Sequence, residues 1–292
     1  MRPLTWRSIV HALAVAAAIV SFAMAAQAAE VLFPQPLHVI RKIEDPVSHT
    51  TTTVHEYCAG NEIVTVNGDR VAIVDYDKQQ MTEIDRAAGT YSVTRFDDVV
   101  KAIPVAAGQS SGPAVAANGT PRERWRATPM GARAGASGRS VEVHELIAQE
   151  DDPTAAKIKI ELALDRRVLL SRRAVEVLIG ASFPNPKRDE HDAILRASAG
   201  SDRGPKQPTA NAATAAPADR TYALPVEQNT TIELDDQRLT LRNTILDVRS
   251  ELAPAGVKSI PPGARQVESK AVRMVREMRE LDNIPAPPSK QQ

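Results

Sequence analysis

His49, His55 and Cys58 fall within ten residues of one another, and imidazole and thiolate are the usual ligands of zinc. Zinc sites, however, bring close pairs such as C-x-x-C or H-x-x-x-H together. This spacing supplies neither. On a strand, the three-residue offset from His55 to Cys58 turns the two side chains to opposite faces, so no metal site is predicted. Asp75, Asp77, Glu83 and Asp85 gather near one turn. Paired carboxylates can share acid and base roles, but strand ends and turns are ordinarily acidic, and these four are read that way. Gly108-Gln109-Ser110-Ser111-Gly112 matches G-x-S-x-G, which makes a nucleophile only as a strained turn between strand and helix. Here it lies in a Pro/Ala/Gly/Ser stretch with neither. His55-Glu56, His144-Glu145 and His191-Asp192 lack the second histidine of H-E-x-x-H, and no phosphate-binding glycine pattern is present. Asn118-Gly119-Thr120 and Asn229-Thr230-Thr231 match the glycosylation acceptor, a short pattern that often arises by chance. No catalytic, cofactor-binding or metal-binding residue is assigned. The expectation is a protein without a cofactor that is not an enzyme.

Composition narrows the classes further. The chain has 292 residues, with 36 basic against 36 acidic side chains and a formal net charge of zero. Nucleic-acid binders concentrate basic charge to neutralise phosphates, so no nucleic-acid partner is expected. Cys58 is the only cysteine, so no intramolecular disulfide can form, and it is read as a buried, inert thiol. Aromatic residues make up 3%. That is too few for a stacking platform, and it leaves the core to Val, Leu, Ile and Ala. Arg2 and Arg7 precede a mostly apolar run from Ile9 to Ala25, and Ala26-Gln27-Ala28 has the small-x-small form of a cleavage site. Residues 1–28 therefore read as a secretory signal peptide cut after Ala28. No cysteine follows to carry a lipid, and no later run is long enough to span a membrane. The expected location is periplasmic or secreted.

The elements follow from pattern. Residues 104–121 and 198–220 are rich in Pro, Ala, Gly and Ser without apolar periodicity. Such segments bury too little to offset ordering entropy, so they read as flexible insertions within one β-rich domain over residues 29–264. Asn61 to Val66 predicts a strand, Asn67-Gly68 a hairpin turn with two positive φ angles, and Val71 to Val74 the return strand. That strand is apolar at consecutive positions, as when both faces are covered. Met81 to Asp85 and Thr90 to Thr94 complete an antiparallel meander, and Phe96 to Ile103 predicts a short helix stopped by Pro104. Val141 and Val143 alternate on one strand, and Ile158, Ile160, Leu162 and Leu164 on another. Ser171 is the expected cap of a helix using Ala174, Val175, Leu178 and Ile179 and ending at Gly180. A second short helix falls near Asp189–Ala197. Ile232 and Leu234 pair through Asp235-Asp236 with Leu239 and Leu241, and Ile245 to Val248 either extends that strand or forms another. Residues 265–283 predict an amphipathic helix with Val267, Ala271, Met274, Val275, Met278 and Leu281 on one stripe. Residues 265–292 thus form a C-terminal helix and tail, expected to close the open side of the sheet.

Gly60-Asn61-Glu62-Ile63-Val64, Asn67 to Asp75, Met81 to Asp85 with Thr90-Tyr91, Leu224-Pro225-Val226-Glu227 and Ile260-Pro261-Pro262-Gly263-Ala264 together resemble the lipoprotein-carrier superfamily of the bacterial envelope and its periplasmic relatives. The resemblance covers about half of the mature chain. It implies a single curved antiparallel sheet, an unclosed barrel, with helices packed on its inner face. The fold expected is mainly β (α+β): that sheet, a few covering helices and the C-terminal amphipathic helix. The function expected is an exported, soluble, non-catalytic protein that binds a lipid or other apolar or amphipathic ligand in the sheet. The alternative is an envelope protein–protein interaction module using the C-terminal helix.

Overall fold

The computed structural model describes residues 31–46, 48–98, 125–148, 157–182, 188–199, 221–234, 237–270 and 272–273. The strands in chain order are β1 (Phe33–Asp45), β2 (Thr50–Gly60), β3 (Glu62–Asn67), β4 (Arg70–Asp75), β5 (Gln80–Asp85), β6 (Thr90–Arg95), β7 (Trp125–Ala134), β8 (Ser140–Ala148) and β9 (Lys157–Ser171). Two helices follow, α1 (Arg172–Ser182) and α2 (Arg188–Ser198), then β10 (Thr221–Leu234), β11 (Gln237–Arg249) and β12 (Arg265–Gln266). All twelve strands lie in one sheet, ordered β12-β6-β5-β4-β3-β2-β1-β11-β10-β9-β8-β7. Every pairing is antiparallel except β12 with β6. The fold is the mainly β, unclosed sheet with few helices that the sequence implied.

The curvature follows from what one short helix touches. α1 has eleven residues, a length of about 16 Å at 1.5 Å per residue. Its Ala174, Val177 and Leu178 share a buried cluster with Met81 of β5, Ile63 of β3, Cys58 of β2, Leu37 of β1, Ile245 of β11 and Leu224 of β10. From β5 to β10 a flat sheet would span about 29 Å at 4.8 Å per strand. A sheet curled toward α1 gathers that width into one cluster, and the helix side is concave. On the same helix Val175 and Ile179 join a second cluster with Leu146, Ile160, Leu162 and, from α2, Ala193 and Ile194. The four apolar positions expected on α1 therefore bridge the two halves of the core. Ser171 caps the helix as expected, its Oγ accepting the Ala174 N–H at 3.2 Å.

The convex face has its own cover. Val64, Val71 and Ile84 form a small cluster there, and Ala253 and Val257 of the strap 250–264 pack over it. Arg86 Nη2 donates to the Val257 carbonyl at 2.6 Å, and Lys258 Nζ pairs with Glu62 at 2.8 Å. Both faces of β4 are thus covered, as its unbroken apolar run required.

Several expectations are corrected. The β3–β4 turn is Gly68-Asp69, because Asn67 is already paired with Arg70. Gly68 has φ 57° and Asp69 does not share the positive region; one left-handed glycine suffices when it takes the first loop position. Gly180 does not stop α1, which runs to Ser182; burial of the flanking Ile179 outweighs glycine's low helix propensity. Arg265-Gln266 is strand, not helix. The free edge of β6 captures it, with Arg265 N donating to Gly89 O at 2.9 Å and Val267 N to Tyr91 O at 2.8 Å. Exposed edge groups bond whatever backbone reaches them. Val267 is accordingly 43% exposed and off any buried stripe. Helix begins only at Lys270, and the stripe residues Ala271, Met274, Val275, Met278 and Leu281 lie outside the described residues. So do residues 1–28, read as a signal peptide, the segment 104–121, the G-x-S-x-G stretch and residues 200–220. Ser198 belongs to α2 and Ala199 follows as a turn. β1, β2 and β7 were not expected at all.

Candidate functional site

Strand parity assigns the concave residues. Leu37, Val39, Arg41 and Ile43 of β1 share one face, and Val54, Glu56 and Cys58 of β2 lie beside them. Arg41 and Glu56 are therefore opposite charges on an apolar face, with side chains 5% and 4% exposed. Arg41 Nε and Nη2 donate to Glu56 Oε2 at 3.1 and 2.8 Å. Its Nη1 donates to Asn243 Oδ1 of β11 at 3.1 Å. A buried charge is tolerable only when paired and hydrogen-bonded in this way. Arg41 and Asn243, with Gln228, Leu178, Ile179, Leu224 and Pro225, line a cavity of about 10 Å³ beneath α1. That is room for about one water, so the space under α1 is no preformed ligand chamber.

Away from α1 the same concave face opens. Ile232 of β10 is in register with Ile158 of β9 and Leu239 of β11. One step inward stand Ile160, Thr230 and Leu241, and then Leu162, Gln228 and Asn243. Ile160 and Leu162 are fully buried, but Ile232 and Leu239 are 39% and 41% exposed. Sequence pattern placed Ile232 and Leu239 on paired strands without saying which face they take. The structure places them on an apolar floor that runs from the buried Arg41–Asn243 row to the rim of the sheet, and neither described helix covers them.

The predicted candidates disperse. Cys58 lies in the concave core, where burial pushes its thiol up, out of the reactive range. His55 faces the convex side, as the odd offset required, and His49 sits in the β1–β2 turn at φ 50°. Among the described residues no group of three or more His, Cys, Asp or Glu is placed to hold a metal. The four acidic residues divide between the two ends of the β4–β5 hairpin. Asp75 pairs with Lys78 and Asp77 accepts from Asn61 Nδ2 at 2.7 Å. At the other end Asp85 meets Arg70 and Lys270, while Glu83 accepts from Ser92 Oγ at 2.9 Å. Each is absorbed locally.

A second polar group lies under the strap. His38 is 4% exposed, with Nδ1 at 3.0 Å from Glu251 and Nε2 at 3.1 Å from His55 Nδ1. Tyr57 stacks on His38 with ring centroids 4.1 Å apart. Burial, then the Glu251 charge, raises the Tyr57 hydroxyl pKa. Which ring nitrogen donates in each contact depends on the tautomer, and the two contacts together pin the strap to β1 and β2. Neither this group nor Arg41–Glu56 was anticipated. The latter had a signal: Leu37-x-Val39-x-Arg41 and Val54-x-Glu56-x-Cys58 each carry one charge on the apolar parity, with opposite signs in successive strands.

No family model matches the chain, and no curated protein matches it. Among solved structures it is similar to a domain from Vibrio parahaemolyticus described as an outer membrane lipoprotein-sorting protein. The two share 10% identity at a TM-score of 0.27, over 76% of this chain and 87% of that one.

Proposed function

We propose that this chain is an exported, non-catalytic binding protein that holds an apolar or amphipathic ligand on the concave floor of its sheet. The observation that carries the reading is the exposure of Ile232 and Leu239, continuous with the buried residues Ile160 and Leu162 on the same face. Apolar side chains exposed on the concave face of a curved sheet contribute contact area to a ligand of like character. The polar groups at the inner end of the floor engage one another, so contact is mainly apolar. Cleavage after Ala28 would release the chain on the far side of the inner membrane. Among the described residues no helix is long and apolar enough to cross a membrane.

Native mass spectrometry of the full chain purified from its own periplasm tests the reading. Co-purified lipid, or saturable binding of the apolar probe N-phenyl-1-naphthylamine, is the expected result. Absence of both removes it. A stable complex with another envelope protein, without lipid, would put the interaction-module alternative first.

A further inference from the structure

The apolar floor ends inward on one row. Gln228 of β10 is in register with Asn243 of β11 and with Leu162 of β9, and all three are buried. Arg41 Nη1 donates to Asn243 Oδ1 at 3.1 Å, and Arg41 Nη2 to Glu56 at 2.8 Å, so the amide is tied to the buried ion pair behind it. Leu178 and Ile179 of α1 come down on the same row and leave a cavity of about 10 Å³. One water fits in that space; an alkyl chain does not. Forcing a chain in would also set methylenes against amide and guanidinium groups, where a polar group loses partners and the chain gains nothing.

The length of the floor follows from the register. Its outer row, Ile158, Ile232 and Leu239, stands four residues from the Leu162, Gln228 and Asn243 row along each strand. At about 3.3 Å per residue that is about 13 Å. Between the two rows lie the half-buried Thr230 and Leu241, which are register partners. β9 begins at Lys157, one residue beyond the outer row, so a chain that reaches further out loses one wall of the floor. With carbon–carbon bonds of about 1.5 Å, an extended alkyl chain advances about 1.25 Å per bond, and about ten carbons cover the run.

We propose that Gln228 and Asn243, closed over by α1, form a polar stop that restricts the floor to amphipathic ligands with an apolar part of about ten carbons. The stop also sets their orientation. The apolar end points inward and halts at Gln228, and the polar end stays at the rim beside Ile232 and Leu239, where water reaches it. This specificity rests on the ligand reading above.

The test titrates the full chain, loaded with N-phenyl-1-naphthylamine, with alkyl maltosides of about six to fourteen carbons, each below its micelle concentration. Every methylene that finds apolar contact should tighten displacement about fourfold. The gain should continue to about ten carbons and then stop. Gln228→Ala clears one side chain from the row while leaving Arg41, Glu56 and Asn243 in place, and should move the break to about twelve carbons. Thr230→Phe raises a ring on the middle row, about 7 Å nearer the rim, and should flatten the series from its shortest member. If Gln228→Ala fails to fold, Thr230→Phe decides. A gain that runs undiminished through the longest maltoside overturns the stop. So does a break that neither variant moves, and so does bound probe that no maltoside displaces. Failure of the probe itself to bind overturns the ligand reading, and the stop falls with it.

Discussion

Replacing Glu56 by Leu would leave the Arg41 guanidinium charged, about 5% exposed and held by Asn243 alone. Removing one partner of a buried ion pair typically costs about 3–5 kcal/mol, because the surviving charge keeps its desolvation penalty and loses its counter-charge. For a domain of this size each kcal/mol shifts the melting temperature by about 2–4 °C, so E56L should melt about 6–20 °C lower. Arg41→Met removes the other charge and should cost a comparable amount, since Glu56 is then the stranded ion. The double variant R41M/E56L strands neither. Only the Asn243 carbonyl then loses a donor, at about 0.5–1.5 kcal/mol, while two apolar side chains fill the space. The double variant should therefore lie within about 1–2 kcal/mol of the parent. Thermal melts and urea midpoints on the four proteins close the cycle. If E56L melts within about 2 °C of the parent, or the two single effects simply add, the account of Arg41–Glu56 as a mutually dependent buried pair is wrong.

Leu239→Asp, at a position 41% exposed, should leave stability within about 1 kcal/mol while weakening N-phenyl-1-naphthylamine binding about tenfold; unchanged binding would move the ligand off this floor. Arg166 holds the Glu142 carboxyl below its ordinary range, against burial and with help from His144. A lowered folded value gives stability that is full above the ordinary carboxylate range and is lost as pH falls through the folded value. E142Q should therefore be less stable than the parent at pH 7, and the urea midpoints should converge in acid. A gap that persists to low pH would rule the linkage out. Gly68→Ala faces no steric contact from a new Cβ, only φ +57°, so it should cost about 1–2 kcal/mol, and a neutral result in denaturant melts would contradict the turn assignment. His38→Leu cuts the strap's bond to β1 at Glu251, and trypsin should then cut at Lys258 faster than in the parent.

What the sequence could settle by itself was local. The β3–β6 meander was legible because its turns carry glycine and polar residues and its strands are short β-branched or apolar runs between them, both signals read within a few residues. The Ser171 cap and the stripe Ala174, Val175, Leu178 and Ile179 were legible for the same reason. β1 and β2 were not, because Arg41 and Glu56 break the apolar alternation of each strand, and only their pairing across the register makes the two charges tolerable together. β12 was read as helix since Val267 fits a helical stripe; the unpaired edge of β6, brought there by the strap, decided otherwise. The exposure of Ile232 and Leu239 was beyond any local pattern. Their alternation says that one face of each strand is apolar, but whether that face meets a helix or stands open depends on where α1 lies across the curved sheet. That placement is set by contacts from strands far apart in the chain, so the open floor is a product of tertiary structure, whereas the buried pair beside it left a trace in the charge on the apolar parity of each strand.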